Sequence, residues 1–353
     1  MHPTTTTRPP RGTIAIEEAV LPPSGLAWLA PSATIFNPSA GPSTFPTTPL
    51  TLALLDIHSA RLAHMDAHGV EYMLLSVTSP GAQGEPDPVK AAALAREAND
   101  WLAVQVAQNP ARFGAFACVS MHSARDAVDE ARRAVRELGM VGIMVNDWQT
   151  VGEGKGDREG KRYYDEEEYR EFWGAMEELG VPVYLHPRYP GAEELEKGTK
   201  YGERKHMLGA AVQFHLDLSM HLYAICSSGV FDEFPRLQVV VGHLGEGIPF
   251  NLWRADHWYN KPVKKKTRPS KEDYSYYFKH NVSITTSGNF STEGLKFCIR
   301  ELGVDRCLYS IDYPYDTIEE AQTWWKGIDL PADQKEAVAR GNAIRLFKLP
   351  LEL

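Results

Sequence analysis

The sequence predicts a single (β/α)8 barrel with its chemistry at the C-terminal ends of the strands. Three observations predict it. Eight short β-rich runs alternate with longer helical patterns along 353 residues. Several of those runs are continuously apolar, as expected of parallel strands covered on both faces. Polar and ionisable residues recur where the apolar runs stop, which is where barrels of this kind carry their sites. A doubly wound open sheet would give the same alternation, but neither GxGxxG nor GxxxxGK[ST] follows any run.

The expected strands are 12–20 (GTIAIEEAV), 71–77 (EYMLLSV), 112–121 (RFGAFACVSM) and 140–147 (MVGIMVND). The second half supplies 181–187 (VPVYLHP), 237–243 (LQVVVGH), 282–288 (VSITTSG) and 306–314 (RCLYSIDYP). Between them, 88–108 is Ala-rich with apolar residues at helical spacing. The segment 124–138 is amphipathic, with opposite charges three and four residues apart. A helix over 165–179 starts on acidic residues and ends at Gly180, and one over 291–302 ends at Gly303. Residues 331–349 read as a closing helix. Such a barrel takes roughly 250 residues, and the excess has visible homes. A Pro-, Ser- and Thr-rich insertion over 21–50 follows the first strand and is expected to form a lid over the site. Shorter insertions follow strands four (152–161) and five (188–205). The Thr- and Pro-rich residues 1–11 read as a disordered tail, leaving 12–353 as one domain.

Composition narrows the class. Lys plus Arg number 37 against 46 Asp plus Glu, a net charge of −9, which argues against nucleic acid or an anionic membrane surface as partner. No uncharged apolar run approaches the roughly 20 residues of a membrane span. Cys118, Cys226, Cys298 and Cys307 are scattered in apolar stretches without a CxxC, and read as reduced, buried thiols of a cytoplasmic protein.

The strand ends hold the candidate chemistry. Glu17 closes GTIAI, His186 closes VPVYL and Asp312 lies in LYSIDYP. A carboxylate buried at a barrel rim needs a cation, a set of donors or a raised pKa. Together the three make an O/N/O ligand set for one divalent metal ion with positions left for water or substrate, Zn2+ being the first choice and Mn2+ or Mg2+ compatible. His243 follows LQVVVG and has Glu246 three residues on, placed to orient and polarise its imidazole. His215 and His221, six residues apart, are spaced wrongly for ligands one helical turn apart and read as packing. Read singly, each of these polar residues has an ordinary structural role; it is their recurrence on one face that points to a site.

With GTIAIEEA, RFGAFACVSMH, VGIMVND, VPVYLHPR, GVFDEFPRLQVVVGHLGEGIPFNLWR, ITTSGNFST and SIDYPY in this order, the sequence resembles the amidohydrolase-2 branch of the amidohydrolase superfamily. Within it, the sequence is similar to fungal non-oxidative decarboxylases of 2,3-dihydroxybenzoate and γ-resorcylate. The resemblance implies a barrel with one divalent metal on Glu17, His186 and Asp312, a catalytic His243–Glu246 pair, and Asp312 as the acid that protonates the ring. It implies substrate contacts at Asn146, Arg254 and Phe290, a small aromatic acid as substrate, no organic cofactor, and a homodimer or homotetramer. Where the family often has a further histidine ligand this sequence has Ala19, as the similar dihydroxybenzoate decarboxylases do. Two departures stand out: 201–219 lacks the expected small residues, and the strand-one loop 21–50 is unusually rich in Pro, Ser and Thr. The alternative on the same barrel is a one-metal hydrolase of an amide, ester or lactone. A two-metal site is disfavoured by the missing HxH on strand one and the absence of a lysine at the end of strand four.

Overall fold

The computed structural model describes residues 11–29, 44–152 and 160–353. Eight parallel strands form one sheet in sequence order: β1 (Thr13–Val20), β2 (Val70–Val77), β3 (Phe113–Cys118), β4 (Gly142–Asn146), β5 (Val183–His186), β6 (Val239–Val241), β7 (Val282–Thr285) and β8 (Cys307–Leu308). Backbone ladders join each strand to the next. Contacts between the segment after β8 and β1, such as the Ala19 amide on the Tyr313 carbonyl at 2.8 Å, bring the last strand back to the first. The predicted (β/α)8 barrel is the observed architecture.

Strand alternation sorts the core into two layers. Ile14, Ile16, Tyr72, Leu74, Phe116, Met144, Tyr184, Val240 and Leu308 fill the interior. Their neighbours, including Ala15, Met73, Val145, Leu185 and Val241, pack outward against the helices. Of those helices, α1 (Ala60–His68), α2 (Pro88–Gln108), α3 (Ala124–Arg136) and α4 (Arg170–Leu179) follow the first four strands. Then come α5 (Gln213–Ser227), α6 (Ile248–Tyr259), α7 (Thr292–Leu302) and α8 (Ile318–Gly327). Side chains of Asp87, Ser123, Ser291 and Thr317 cap α2, α3, α7 and α8 by accepting first-turn amides. The helix expected over 165–179 is shorter, because its acidic start, Glu167–Tyr169, is a 3-10 turn.

The closing helix over 331–349 is three pieces: an α-turn Ala332–Glu336, a π-turn Ala337–Gly341, and α9 (Asn342–Phe347). Within the π-turn, the Val338 carbonyl accepts the Tyr309 amide at 3.0 Å, tying the helix to the end of β8. Ala343, Ile344, Phe347 and Leu349 then pack with Ile14 and Ile16 as the floor of the barrel, and Phe347 meets Phe116 edge-on at 5.3 Å.

The expected strands run longer than the ladders, since β6 stops at Val241 and β8 at Leu308. His243 and Asp312 therefore sit on loops just above the sheet. Of the expected lid, residues 30–43 lie outside the described residues, as do residues 1–10 of the expected tail. The described flanks of the lid are anchored by Leu21, Leu29, Phe45 and Leu54, which form a small apolar cluster with Ala19. The strand-four insertion is bracketed by a short antiparallel pair, Gln149–Thr150 against Lys161–Arg162, and its residues 153–159 lie outside the described residues. All four cysteines are free thiols, three of them buried. Among the described residues, no helix is long and apolar enough to cross a membrane.

Candidate metal centre and active site

Glu17 reaches the interior because β1 is irregular there. Ile16 pairs with Leu74 and Glu18 with Leu75, so Glu17 is an extra residue with no partner, at φ +117°. The bulge turns Glu17 inward, where strict alternation after Ile14 and Ile16 would send it out. Its Oε2 accepts the hydroxyl of Tyr184, a fully buried residue of β5, and lies 3.5 Å from the Thr285 hydroxyl at the end of β7. Gly242 faces it closely: a Cβ there would come within 3.0 Å of Glu17 Oε2 and 3.1 Å of the Tyr184 hydroxyl.

Glu17, His186 and Asp312 offer ligand atoms that all lie within 4.8 Å of one another. The residues fit a cation in two ways. Glu17 Oε1 is buried with no well-aligned hydrogen-bond donor, a carboxylate oxygen that a cation would satisfy. His186 Nδ1 hydrogen-bonds the Pro187 carbonyl at 2.6 Å, which leaves Nε2 facing Glu17 Oε1 at 3.2 Å. Burial disfavours a charged His186, yet the Glu17 carboxylate outweighs it and holds the imidazole above its usual pKa. A cation shared by the two groups would take that proton's place.

Across the trio lies the His243–Glu246 pair. His243 Nδ1 is 2.6 Å from Glu246 Oε1, while its Nε2 is 3.9 Å from both Glu17 Oε1 and Asp312 Oδ2. Burial acts against the imidazolium, but Glu246, with Asp312 and Glu17, raises the His243 pKa well above its usual value. Burial in turn raises the Asp312 carboxyl, helped by the Glu17 charge and opposed by His243. His243, Glu246 and Asp312 have φ of +56°, +56° and +81°, left-handed conformations unusual for residues with side chains. Such backbones persist where the surroundings over-determine them, as in catalytic loops.

The trio opens into a cavity of about 780 Å³, solvent at its mouth included. Leu50, Met144, Tyr189 and Phe214 give it apolar walls, and Ser76, Thr78 and Ser79 add hydroxyls. Tyr189 and Phe214 meet edge-on at 5.0 Å. A more polar annex on the far side of His243 is lined by His215, Asn289 and Asp316.

The three residues expected to touch substrate are not on these walls. Asn146 is buried and gives its Nδ2 to the Pro80 carbonyl at 3.0 Å, bracing the strand-two loop. Arg254 is exposed on α6, and Phe290 packs on Trp324 at a ring separation of 5.5 Å. The neighbouring Trp325 is buried and packs against Tyr309. His221 is indeed a packing residue, bonded to Asp147 at 3.0 Å and to the Tyr164 amide. His215, also read as packing, is on the annex wall. Sequence reasoning passed over Tyr184, which looks like an ordinary strand residue; only the inward parity of β5 marks it.

Comparisons with known proteins agree with this geometry. A family model described as amidohydrolase matches residues 53–349. The γ-resorcylate decarboxylase of Rhizobium sp. (strain MTP-10005) is 42% identical over 299 residues, covering 84% of this chain and 88% of that one. A solved 2,6-dihydroxybenzoate decarboxylase in complex with 2,6-dihydroxybenzoate superposes with a TM-score of 0.87 at 39% identity, covering 96% of this chain and all of the other. A dihydroxybenzoic acid decarboxylase from Polaromonas sp. JS666, solved with manganese and 2-nitroresorcinol, gives 0.87 at 36% identity, over 97% and 98% of the two chains. Fold, motifs and relatives converge, and the chain belongs to the amidohydrolase family.

Proposed function

We propose that this protein is a metal-dependent, non-oxidative decarboxylase of an ortho-hydroxybenzoate, with 2,6-dihydroxybenzoate the first substrate to test. One observation carries the reading: Glu17, His186 and Asp312 converge at the floor of an apolar-walled cavity, with the His243–Glu246 pair facing the same carboxylates. The relatives act on, or are bound to, molecules of this kind. The two carboxylates and the manganese in the Polaromonas structure favour Mn2+ over the Zn2+ expected from sequence.

Direct loss of CO2 would leave an aryl anion in the ring plane, which the ring cannot stabilise. Protonating the carboxyl-bearing carbon first avoids this, and an ortho-hydroxyl makes that carbon electron-rich. Glu17, His186 and Asp312 would hold a divalent metal, which would supply Lewis-acid charge for the carboxylate and the phenol. His243, its pKa raised by Glu246, is the proton carrier, and Glu246 fixes the ring so that Nε2 faces Asp312. Asp312 takes that proton and delivers it to the ring carbon, which makes His243 the source that keeps a metal-holding carboxyl supplied. The C–C bond then breaks, its electron pair restores the aromatic ring, and CO2 leaves. The Tyr189 and Phe214 walls shield the ring from water.

Exposed Phe250, Trp253 and Val263, on and after α6, support assembly as a homodimer or homotetramer. The free thiols support a cytoplasmic setting. The test is CO2 release and resorcinol formation from 2,6-dihydroxybenzoate, before and after chelation and again after adding Mn2+. Turnover lost on chelation and restored by Mn2+ is expected. Bound metal with no decarboxylation of any ortho-hydroxybenzoate, but cleavage of an ester or lactone, would overturn the reading in favour of hydrolysis.

A further inference from the structure

The seam between β8 and β1 differs from the other seven. Every neighbouring strand pair from β1 to β8 shares a backbone ladder, whereas none joins β8 to β1. Beside the Ala19–Tyr313 backbone bond, side chains span the gap, Glu18 foremost. Glu18, fully buried, accepts the Ile311 amide at Oε1 (3.1 Å), the Ser310 hydroxyl at the same oxygen (3.1 Å), and the Tyr313 amide at Oε2 (3.0 Å). The single Ser310 hydroxyl proton is shared with the Ile16 carbonyl, 2.6 Å away.

The positions of these partners matter more than their number. Ile311 and Tyr313 flank Asp312, so a single carboxylate grips the backbone on both sides of one metal-site residue, whose own φ is +81°. Glu18 is itself joined by one peptide bond to Glu17, another member of the trio, on the bulge at φ +117°. The two ends of the site are therefore linked chiefly through the buried Glu18 side chain, where the other seams have a ladder. Arg61, also fully buried, braces the same place from outside. Its guanidinium donates to the Ala19 carbonyl at 2.6 Å and lies 4.8 Å over the Tyr313 ring.

We propose that Glu18 is a positioning residue: by bridging the β8–β1 seam it sets Asp312 at its working distance from Glu17 and so prepares the trio for a divalent cation. The inference rests on Glu17, His186 and Asp312 holding the metal. In Glu18→Gln, one carboxylate oxygen becomes an NH2 that faces a backbone or hydroxyl donor, so the grip on one side of Asp312 is lost. Outer groups that orient ligands are worth about 10- to 100-fold in metal affinity.

The experiment measures Mn2+ binding to full-length protein by the EPR signal of free Mn2+, with thermal unfolding of the same samples. The matched control is Glu71→Gln, which breaks a buried Glu71–Arg340 pair (3.0 Å) away from the metal trio. Glu18→Gln is expected to weaken Mn2+ binding about 10- to 100-fold and Glu71→Gln about twofold or less, at comparable loss of Tm. Equal weakening in both variants, or unchanged binding in Glu18→Gln, overturns the proposal. If Glu18→Gln does not fold, Ser310→Ala removes one of the three donors, and weaker Mn2+ binding is again expected; unchanged binding there is refuting. Absence of Mn2+ binding by the wild-type protein would instead overturn the metal-site reading itself.

Discussion

Replacing Glu246 by Gln keeps the size of the side chain and removes its charge. Glu246 is buried, its Oε1 lies 2.6 Å from His243 Nδ1, and its Oε2 has no other hydrogen-bond partner. Its contribution to holding the imidazolium is thus not shared out to neighbours. A hydrogen bond between charged groups is worth about 1.5–3 kcal/mol, equivalent to about 10- to 150-fold in the balance between imidazolium and imidazole. The sign follows from the direction of the shift. His243 lies well above its ordinary value, so the protonated form persists below that raised pKa and is lost as pH climbs through it. In Glu246→Gln the loss comes at lower pH. The profile of kcat/KM for 2,6-dihydroxybenzoate, from about pH 5 to 10, should show its alkaline limb displaced toward acid, with rate at neutral pH falling by about the factor above. Bound Mn2+ should hardly change. An alkaline limb that stays in place would refute the proton-supply role of the pair, and a collapse of metal content would make His243 a ligand.

Three further outcomes are expected. His243→Ala should lower kcat about 100-fold or more while Mn2+ per chain, measured by atomic absorption, stays near wild type. Asp312→Asn should lower turnover about a thousandfold or more with circular dichroism and Tm nearly unchanged, since it removes both a ligand charge and the ring's proton donor. Gly242→Ala places a methyl 3.0 Å from Glu17 Oε2; it should cost about 1–3 kcal/mol of stability in denaturant titration and weaken Mn2+ binding through displacement of Glu17.

What the sequence shows of this molecule follows the physics of parallel strands. Runs such as VPVYL are apolar throughout because both faces are buried, so strand order and the barrel were legible, and a charged residue ending such a run stood out. That is how Glu17, His186 and Asp312 were visible, and the structure brings the three together. Tyr184 was not visible because a strand's inward parity does not distinguish a residue that packs from one that bonds a carboxylate. The bulge at Glu17 was hidden for the same reason: one extra residue leaves composition unchanged while reversing the side chains that follow. Asn146, a strand-end polar residue that the resemblance makes a substrate contact, gives its amide to a neighbouring loop. Arg254 and Phe290 came from resemblance alone, and nothing in their local sequence sets the direction in which their side chains point.

The floor of the barrel has a bearing on how the chain is made. Ala343, Ile344 and Phe347 are translated after all eight strands, so a ribosome-bound chain with its last strand already emerged still exposes Ile14, Ile16 and Phe116 from below. At roughly 5–20 residues per second, the stretch from Leu308 to Ala343 takes roughly 2–7 s to synthesise. For that interval the first strand has no partner beneath it, and an apolar opening of this kind is what a holding chaperone grips. A ribosome stalling in this stretch would release a barrel without its base.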